Sequence, residues 1–424
     1  MLQGLAVGGE YGGAAVYVAE HAPATRRGLH TSWLNGTATL GLVISLLIIV
    51  AFRLVLSDAD FQAWGWRLPF LVSIVLLLVS LWIRLRLAES PVFARMKADG
   101  ATSKAPWAEA FGRWSNLKLV IPALGLVAGT TVIWYSAQFY ALFFLERVLG
   151  LQGIFADLLI AIALLIALPA YPLFGWLSDV IGRKRLLVGG CAIAAITIFP
   201  AFHLLTRAAN PALAWAAASA PVTVLADPGA CAVQFDPVGG GQFDRQGCDI
   251  AKAFLAKAGV SYRNVALGKG APAEVRVGDQ ALHPPDPRGL SAAGRNRAIA
   301  TFRANARAAL TAAGYPSAAD PARIDAPVVI GVVVFLALLA AMTYAPGAAF
   351  LVELFPARIR YTSMSLPYHL GTGWVGGFLP ATAFAIVSAS GDIYSGLWYP
   401  VVFSAIGGLI GLLFLPETRG RPIS

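Results

Sequence analysis

One acidic residue, Glu10, lies deep inside an apolar stretch of this 424-residue chain. Gln3 and Tyr17 lie seven residues before and after it, so the three side chains share one face of a helix. A carboxyl group in a low-dielectric environment favours its neutral form and can exchange a proton. The pattern predicts that Glu10 couples to protons and that Gln3 and Tyr17 lie beside the path of a small molecule. The alternative is a glutamate that braces its helix by pairing with an arginine or a backbone group.

Uncharged polar side chains recur at helical spacing in other apolar stretches, where they can form hydrogen bonds with a small molecule. These candidates are Asn35, Thr131, Tyr135, Gln138, Tyr344 and His369. His369 can also titrate near neutral pH, although a histidine bonded between two helices is the commoner arrangement. The histidines and cysteines lack the spacing of metal ligands, and no phosphate-binding loop is complete. We therefore expect no metal, no cofactor and no enzymatic activity.

The composition indicates which elements position these side chains. Apolar residues make up 58% of the chain and charged residues 13%, against about 25% charged residues in soluble domains. Nine apolar segments have the length of a membrane-spanning helix and lack the alternation of barrel strands. They are Met1–Ala19, Thr31–Phe52, Trp66–Leu85, Leu119–Leu145, Ala156–Trp176, Leu186–Leu205, Pro327–Val352, Met364–Val387 and Leu397–Leu415. We predict an all-α polytopic membrane protein, which excludes a soluble enzyme and a disordered chain.

The basic residues indicate the orientation of these helices. They cluster after the first, third, fifth, seventh and ninth segments, whereas the short connections on the opposite side carry few. Because positively charged loops face the cytoplasm, the C-terminus and the linker 87–118 are predicted to be cytoplasmic. The formal net charge of +10 thus reflects topology, and the expected partner is the lipid bilayer rather than nucleic acid.

Residues 208–326, here called the insert, differ from the rest in being rich in Ala, Gly and Pro. The topology predicts that the insert is extracytoplasmic. Short helices are expected at Asp249–Ala258 and Ser291–Ala313. Cys231 and Cys248 both lie in the insert, and an oxidising compartment favours a disulfide between them. The alternative is two unpaired thiols.

The connection between the fifth and sixth segments reads Gly-Trp-Leu-Ser-Asp-Val-Ile-Gly-Arg-Lys-Arg over residues 175–185. Glycines allow a tight turn between two helices, Asp179 lies where the next helix begins and suits its positive dipole end, and the bases can pair with acids of a neighbouring helix. The stretch resembles the cytoplasmic loop signature of the major facilitator superfamily, except that Val180 stands where the family often has Arg. The alternative is an ordinary positively charged turn with a cap.

Three further stretches resemble the metabolite:proton symporters of that superfamily. They are the opening helix with its Gly-Gly-Glu-Tyr-Gly-Gly sequence, Glu-Leu-Phe-Pro-Ala-Arg-Ile-Arg-Tyr at 353–361, and Pro-Glu-Thr-Arg-Gly at 416–420. The resemblance aligns the nine segments with helices four to twelve of a twelve-helix fold, so an N-terminally truncated chain is expected. It implies a remainder of the N-terminal half at 1–86, the linker at 87–118, and a C-terminal half at 119–207 and 327–424 that the insert interrupts.

The resemblance implies a secondary active transporter of the inner membrane, expected to act as a monomer. It would carry a small organic acid or osmolyte together with protons by alternating access. The residues expected to latch its cytoplasmic side are Gly175, Asp179, Gly182, Arg183, Lys184, Glu353, Arg358 and Arg360. Two alternatives remain open at this point: a transporter-like sensor that recognises a ligand through the insert, and an inactive truncated gene product.

Overall fold

Helices dominate the computed structural model of the chain, which describes residues 2–86, 89–237, 241 and 243–423. The side chains of residues 2–10, 84 and 91 lie outside this description. In the described residues, eight helical stretches are long and apolar enough to cross a membrane. They are Arg27–Val55, Gly65–Ile83, Trp114–Val148, Gly153–Ile181, Arg183–Ala209, Ala326–Leu354, Ala357–Ser390 and Ser395–Phe414. The first of the nine predicted spans corresponds to a further helix, Leu2–His21.

The chain begins with the N-terminal helices, a term used here for α1, α2 and α4. Their bounds, with those of the short helix α3, are α1 Leu2–His21, α2 Arg27–Val55, α3 Asp58–Ala63 and α4 Leu68–Arg84. Two short linker helices follow, α5 Pro91–Ala98 and α6 Pro106–Gly112. The large apolar side chains of α4 are exposed along its length, which suits contact with lipid.

The next five helices begin the C-terminal bundle, which we define as all membrane-spanning helices after residue 113. They are α7 Trp114–Tyr135, α8 Ala141–Phe143, α9 Gly153–Ala167, α10 Ala170–Ile181 and α11 Arg183–Ala209. The span of α9 and α10 breaks at Pro169 because proline cannot donate a helical hydrogen bond. π-Helical turns at Ser136–Tyr140 and Phe144–Val148 extend the span of α7.

The insert folds as an α/β unit that was not predicted from the sequence. Its elements are α12 Pro211–Ser219, β1 Val222–Ala226, α13 Gly247–Lys257, β2 Tyr262–Ala266, β3 Glu274–Val277, β4 Gln280–Leu282 and α14 Ala292–Ala312. The strand order is β2-β1-β3-β4, with β1 parallel to β2 and antiparallel to β3. The two predicted helices correspond to α13 and α14, and Cys231 and Cys248 are joined by a disulfide.

Five helices complete the bundle, and the second proline break falls at Pro346. They are α15 Ala326–Tyr344, α16 Gly347–Leu354, α17 Ala357–His369, α18 Leu379–Ser390 and α19 Trp398–Phe414, with a π-helical turn at Leu370–Gly376 after α17. In the core of the bundle α7 packs against α19, and α11 packs against α15 and α19. Helix α2 packs along α9 and α10 and so joins the N-terminal helices to the bundle.

The insert is fastened to two connections of the bundle at one end. The backbone N–H of Tyr262 donates to the carbonyl of Gly391 at 2.6 Å, and its hydroxyl donates to the carbonyl of Ser388 at 2.5 Å. On the other connection, Ala319 N–H donates to Gly150 O at 3.0 Å. We call this end of the bundle the insert end. The opposite end, where α10 meets α11, is the motif end.

Candidate functional site

At the motif end, Asp179 joins the bundle to the N-terminal helices. Its two carboxylate oxygens accept hydrogen bonds from the backbone N–H groups of Gly28 and Leu29 at 2.9 and 2.8 Å. These N–H groups belong to the first turn of α2, where a helix leaves its donors unpaired and carries a partial positive charge. The structure therefore differs from the sequence-based expectation, in which Asp179 faces the start of the next helix. That position belongs to Glu417, which accepts the N–H of Arg183 at 2.9 Å.

Arg183 is the centre of a buried ionic network at this end. Its guanidinium lies 2.6 Å from Asp179 and 3.2 Å from Glu353, and it donates to the Ser178 hydroxyl at 2.8 Å. Arg27 of α2 lies 3.6 Å from the same Glu353. We call Arg27, Asp179, Arg183 and Glu353 the motif-end network. Its two acids and two bases balance, which is how buried charges are normally tolerated.

Two glycines allow the helices that carry this network to touch. A Cβ on Gly175 would lie 2.5 Å from the Ser32 hydroxyl and 2.6 Å from the carbonyl of Gly28. A Cβ on Gly28 would lie 2.5 Å from the carbonyl of Gly175. Helices α2 and α10 thus meet backbone to backbone, as small residues permit in membranes. At Gly182 the backbone φ of 110° is one that other residues rarely adopt.

The other predicted latch residues make different contacts. Arg360 does link the bundle to the N-terminal helices, because it pairs with Glu20 of α1 at 2.7 Å. Arg358 instead pairs with Glu109 of the linker helix α6, and its hydrogen bond holds the pKa of that half-buried carboxyl below the usual value. Lys184 donates to the carbonyls of Leu412 and Leu415 at 2.7 Å each and so stays within the bundle.

A second polar cluster, here called the interior cluster, lies further along the same contact between α2 and the bundle. The Thr39 hydroxyl donates to the Tyr171 hydroxyl at 2.8 Å and accepts from the Gln138 side-chain amide at 2.9 Å. The indole N–H of Trp134 also donates to the Tyr171 hydroxyl, at 3.1 Å. Gln138 lies in the first π-helical turn, and such turns are frequent at functional sites. Among the described side chains, the hydrogen bonds of this group involve no charged residue.

Tyr344 extends this interior cluster. Asn35 of α2 donates through its amide to the Tyr344 carbonyl at 2.7 Å, and the Tyr344 hydroxyl lies 3.2 Å from the Thr131 hydroxyl. Tyr11 of α1 reaches Asn35 at 3.4 Å and stacks on the ring of Tyr368 at 3.7 Å. Four sequence candidates, Asn35, Thr131, Gln138 and Tyr344, are thus brought together between the N-terminal helices and the bundle.

The remaining candidates lie elsewhere or border this cluster. The ring of Tyr135 packs edge-on against Trp134 at 5.2 Å, and His369 packs edge-on against Tyr368 at 5.4 Å. Tyr17 lines a cavity of about 330 Å³ at the motif end together with Glu20 and Arg360. The side chains of Gln3 and Glu10 lie outside the described residues, so proton coupling through Glu10 stays a prediction.

Sequence reasoning missed several aromatic members of the interior cluster. The sequence marks these aromatic residues only as parts of apolar spans or helix faces; they are Tyr171, Trp134, Tyr11 and Tyr368. Tyr171, however, accepts three hydrogen bonds. The available signal was a tyrosine inside the span, two residues after Pro169, where the helix is interrupted. Asp157 was missed as well: it is the second residue of the predicted span Ala156–Trp176, yet only 6% of it is exposed in the structure.

Among the described residues, no group of three His, Cys, Asp or Glu side chains could hold a metal ion. The insert contains its own cavity of about 440 Å³ at the carboxyl end of β1, and Asp227, Lys269 and Arg288 contribute to its wall. Backbone N–H groups of Gly270 and Gly229 hold the pKa of Asp227 below the usual value. The Arg288 guanidinium lowers the pKa of Asp286 to about 2.

The chain is similar to curated transporters of small metabolites. It is 32% identical over 212 residues to the alpha-ketoglutarate permease of Escherichia coli K12, covering 50% of this chain and 48% of the relative. The shikimate transporter of the same organism is 35% identical, with 48% and 47% covered. Its proline/betaine transporter is 31% identical, with 48% and 42% covered. The chain spans about half the length of the curated relatives it matches.

A solved structure shows the fold of the chain, and a family model shows its family. A crystal structure of a D-xylose-proton symporter superposes with a TM-score of 0.50 at 17% identity, covering 96% of this chain and 68% of that chain, and this likeness shows the fold. The model described as Sugar (and other) transporter matches residues 301–424. The Major Facilitator Superfamily model matches residues 1–231, more than half of the chain. The chain belongs to the Major Facilitator Superfamily.

Proposed function

We propose that the chain forms the core of a secondary active transporter that moves a small organic acid or osmolyte together with protons. The motif-end network carries this proposal. It connects α2 to the bundle through ionic and backbone hydrogen bonds, and such contacts can break and re-form between two discrete arrangements. By the distribution of basic residues, the motif end faces the cytoplasm and the insert lies outside.

The interior cluster is the proposed substrate site, and its chemistry narrows the substrate class. Its described side chains are hydroxyls, amides and aromatic rings, and no Lys or Arg lies in the middle of a predicted span. Aromatic faces such as Trp134, Tyr135 and Tyr344 attract quaternary ammonium groups. An organic acid usually needs a cationic partner at this depth. Among the substrates named by the relatives, we therefore favour betaine or proline over alpha-ketoglutarate.

Uptake by the full chain in reconstituted vesicles tests this proposal. We expect labelled glycine betaine to accumulate when a proton gradient points inward and to stop accumulating when a protonophore collapses it. Labelled alpha-ketoglutarate, offered in parallel, should accumulate more slowly. If neither compound enters faster than in empty vesicles, the proposed transport activity is wrong for this chain.

A matched pair of threonine variants tests the substrate site. Thr39→Val removes a hydroxyl that bonds to both Tyr171 and Gln138, and we expect betaine uptake to fall about fivefold, since one such bond contributes about 1 kcal/mol. Thr197→Val makes the same chemical change on α11, where the hydroxyl bonds only to its own helix at Ile193. This control should transport like the unmodified chain. Equal rates for the two variants would remove Thr39 from the site.

The cavity in the insert favours a second candidate function, recognition of a ligand outside the membrane. Lys269 and Arg288 in its wall offer positive charge to an anionic or zwitterionic molecule. This function predicts that alpha-ketoglutarate raises the melting temperature of the full chain and that Lys269→Ala removes the rise. No rise in the unmodified chain would discard the candidate.

A further inference from the structure

A buried acid at the insert end is not used by the proposed substrate site. Asp157, in the second turn of α9, is 6% exposed. In the described part of the chain, no hydrogen bond or ion pair within bonding distance reaches its carboxylate. A buried carboxylate without such partners is costly in its charged form and favours taking up a proton.

Two other charged side chains lie at Gly153, one turn of α9 before Asp157. The charges that act on it are those of Glu146, in the second π-helical turn, and Arg53, near the end of α2. A Cβ placed on Gly153 would lie 2.6 Å from Nη1 of Arg53 and 3.0 Å from Oε1 of Glu146, so the side chains converge on this glycine. Helix α15, which also packs against α9, carries no acid or base. We call Arg53, Glu146 and Asp157 the insert-end cluster.

The insert-end cluster has one more acid than it has bases. Arg53 alone cannot balance both acids. Its Nε atom is buried without a hydrogen-bond partner among the described residues. Its guanidinium instead lies over the ring of Phe61, 5.2 Å from the centroid. The cluster therefore has room for one positive charge. Since no described group offers a metal ion three acidic, histidine or cysteine ligands, the proton is the cation that fits.

The cluster also connects the two moving parts assumed by the proposed function. Arg53 belongs to the N-terminal helices, whereas Glu146 and Asp157 belong to the bundle. The loop between the two acids is held by the insert: Asn210 donates to the carbonyl of Leu149 at 2.8 Å, and Ala319 donates to that of Gly150 at 3.0 Å. The insert thereby fixes the position of one acid relative to the other.

We propose that the insert-end cluster binds the transported proton on the side of the membrane where the insert lies. A proton from water adds to the carboxylate of Asp157, which removes one of the two negative charges that attract Arg53 and leaves only that of Glu146. The weaker attraction lets helix α2 and the bundle separate more readily at this end. When the proton leaves, the restored charge of Asp157 draws Arg53 back. This inference rests on the proposed proton-coupled transport and assigns its proton site.

Distance measurements across the cluster test the inference without relying on transport. Val55 and Gln152 are exposed on either side of it, so both are replaced by cysteine and spin-labelled in a full chain that carries Cys191→Ala. Pulsed electron paramagnetic resonance in nanodiscs then follows the distance between pH 5 and pH 8. We expect a longer distance at low pH and a single transition to a shorter one. An unchanged distance over this range would overturn the proposal.

Variants separate the proton site from other causes of a pH effect. Asp157→Asn should keep the longer distance at every pH, whereas Asp320→Asn, at an exposed acid of the insert, should titrate like the unmodified chain. If Asp157→Asn does not fold, Arg53→Gln serves instead, with the same expectation of a long distance at every pH. A transition that persists in Asp157→Asn, or one driven by sodium at constant pH, contradicts the assignment.

Uptake distinguishes this inference from the proposed function. Asp157→Asn should lose accumulation driven by a proton gradient but keep exchange of labelled for unlabelled betaine at equal concentrations. Accumulation that survives in this variant would exclude Asp157 as the proton site but would remain compatible with symport. If the pH-dependent distance change occurs in a chain that transports nothing, the cluster stands as a proton site and the proposed function fails.

Discussion

The two ends of the bundle treat buried charge differently. At the motif end, Asp179 and Glu353 each contact Arg183, and Asp179 also accepts two backbone N–H groups of α2. At the insert end, Asp157 is about as deeply buried as Glu353, yet none of the described residues donates a hydrogen bond to it. Both clusters join α2 to the bundle. The difference between them is whether hydrogen bonds and an ion pair reach each acid.

This difference separates two uses of buried charge. A buried ion pair whose members are all hydrogen-bonded adds little net stability, but it fixes one arrangement and is expensive to break by removing one partner. A buried acid with no partner makes its surroundings sensitive to pH instead. Its charged form destabilises them, and its protonated form does not. We infer that the motif end sets the geometry of the closed contact and that the insert end controls when it changes.

Removing Arg183 gives the largest expected effect on this comparison. Arg183→Ala leaves Asp179 and Glu353 buried without their shared cation, and we expect the free energy of unfolding to fall by about 3–5 kcal/mol. Thermal unfolding of the purified chain, followed by circular dichroism, measures the change. Arg185→Ala, two residues further on at an exposed position, is the matched control and should change stability by less than about 0.5 kcal/mol. Similar losses in both variants would mean that the network has no special role.

Reduction of the disulfide tests the insert end, with the next largest effect. Cys231 and Cys248 lie 17 residues apart, and a cross-link over a loop of this length contributes about 3 kcal/mol. The loop also carries Gln234, which accepts a hydrogen bond from Ser388 at 2.6 Å and so fastens the insert to the bundle. We expect a reducing agent to increase proteolysis of the insert and to leave the helices of the motif end protected.

A double variant provides the control for this prediction. The chain with Cys231→Ala and Cys248→Ala should show the increased proteolysis without any reducing agent and no further change when it is added. A reducing agent that still acts on the double variant would point to another cause, since the described free cysteine, Cys191, is buried.

The membrane bundle was predictable from the sequence because long apolar runs and basic clusters are strong local signals. The motif around Asp179 was also visible, but the N–H groups that Asp179 accepts come from α2, about 150 residues earlier in the chain. Spacing within a segment cannot reveal such a contact. The strands of the insert were not predicted because each has only three to five residues, too few to show the alternation of polar and apolar side chains.

The candidate site was predictable only in part, for a similar reason. Asn35, Gln138 and Tyr344 were recognised because a polar side chain in an apolar span needs a partner. Tyr171 and Asp157 were not, since an aromatic ring reads as apolar and an acid at the start of a span reads as a helix end. Their importance depends on which helix packs against them.

Asp249 of the insert provides the smallest test, a buried acid that does have a partner. Its carboxylate accepts the N–H of Ala232 at 2.7 Å beside the disulfide, but burial still raises its pKa above the ordinary value of 3.8. The folded insert therefore keeps a proton at pH values where the unfolded chain has lost it. By linkage, the stability of the insert falls as the pH rises from 3.8 through the folded pKa.

Asp249→Asn should remove this pH dependence and make the insert more stable at pH 7, by about 1 kcal/mol or less. The rate of proteolysis of the insert, taken as the ratio of variant to unmodified chain at each pH, measures the change independently of the protease. Asp279→Asn, an exposed acid in the turn between β3 and β4, should give a ratio that stays constant with pH. If the ratio for Asp249→Asn is also constant with pH, burial does not favour protonation of an acid that keeps a hydrogen bond. The case for Asp157 would then depend on its lack of partners alone.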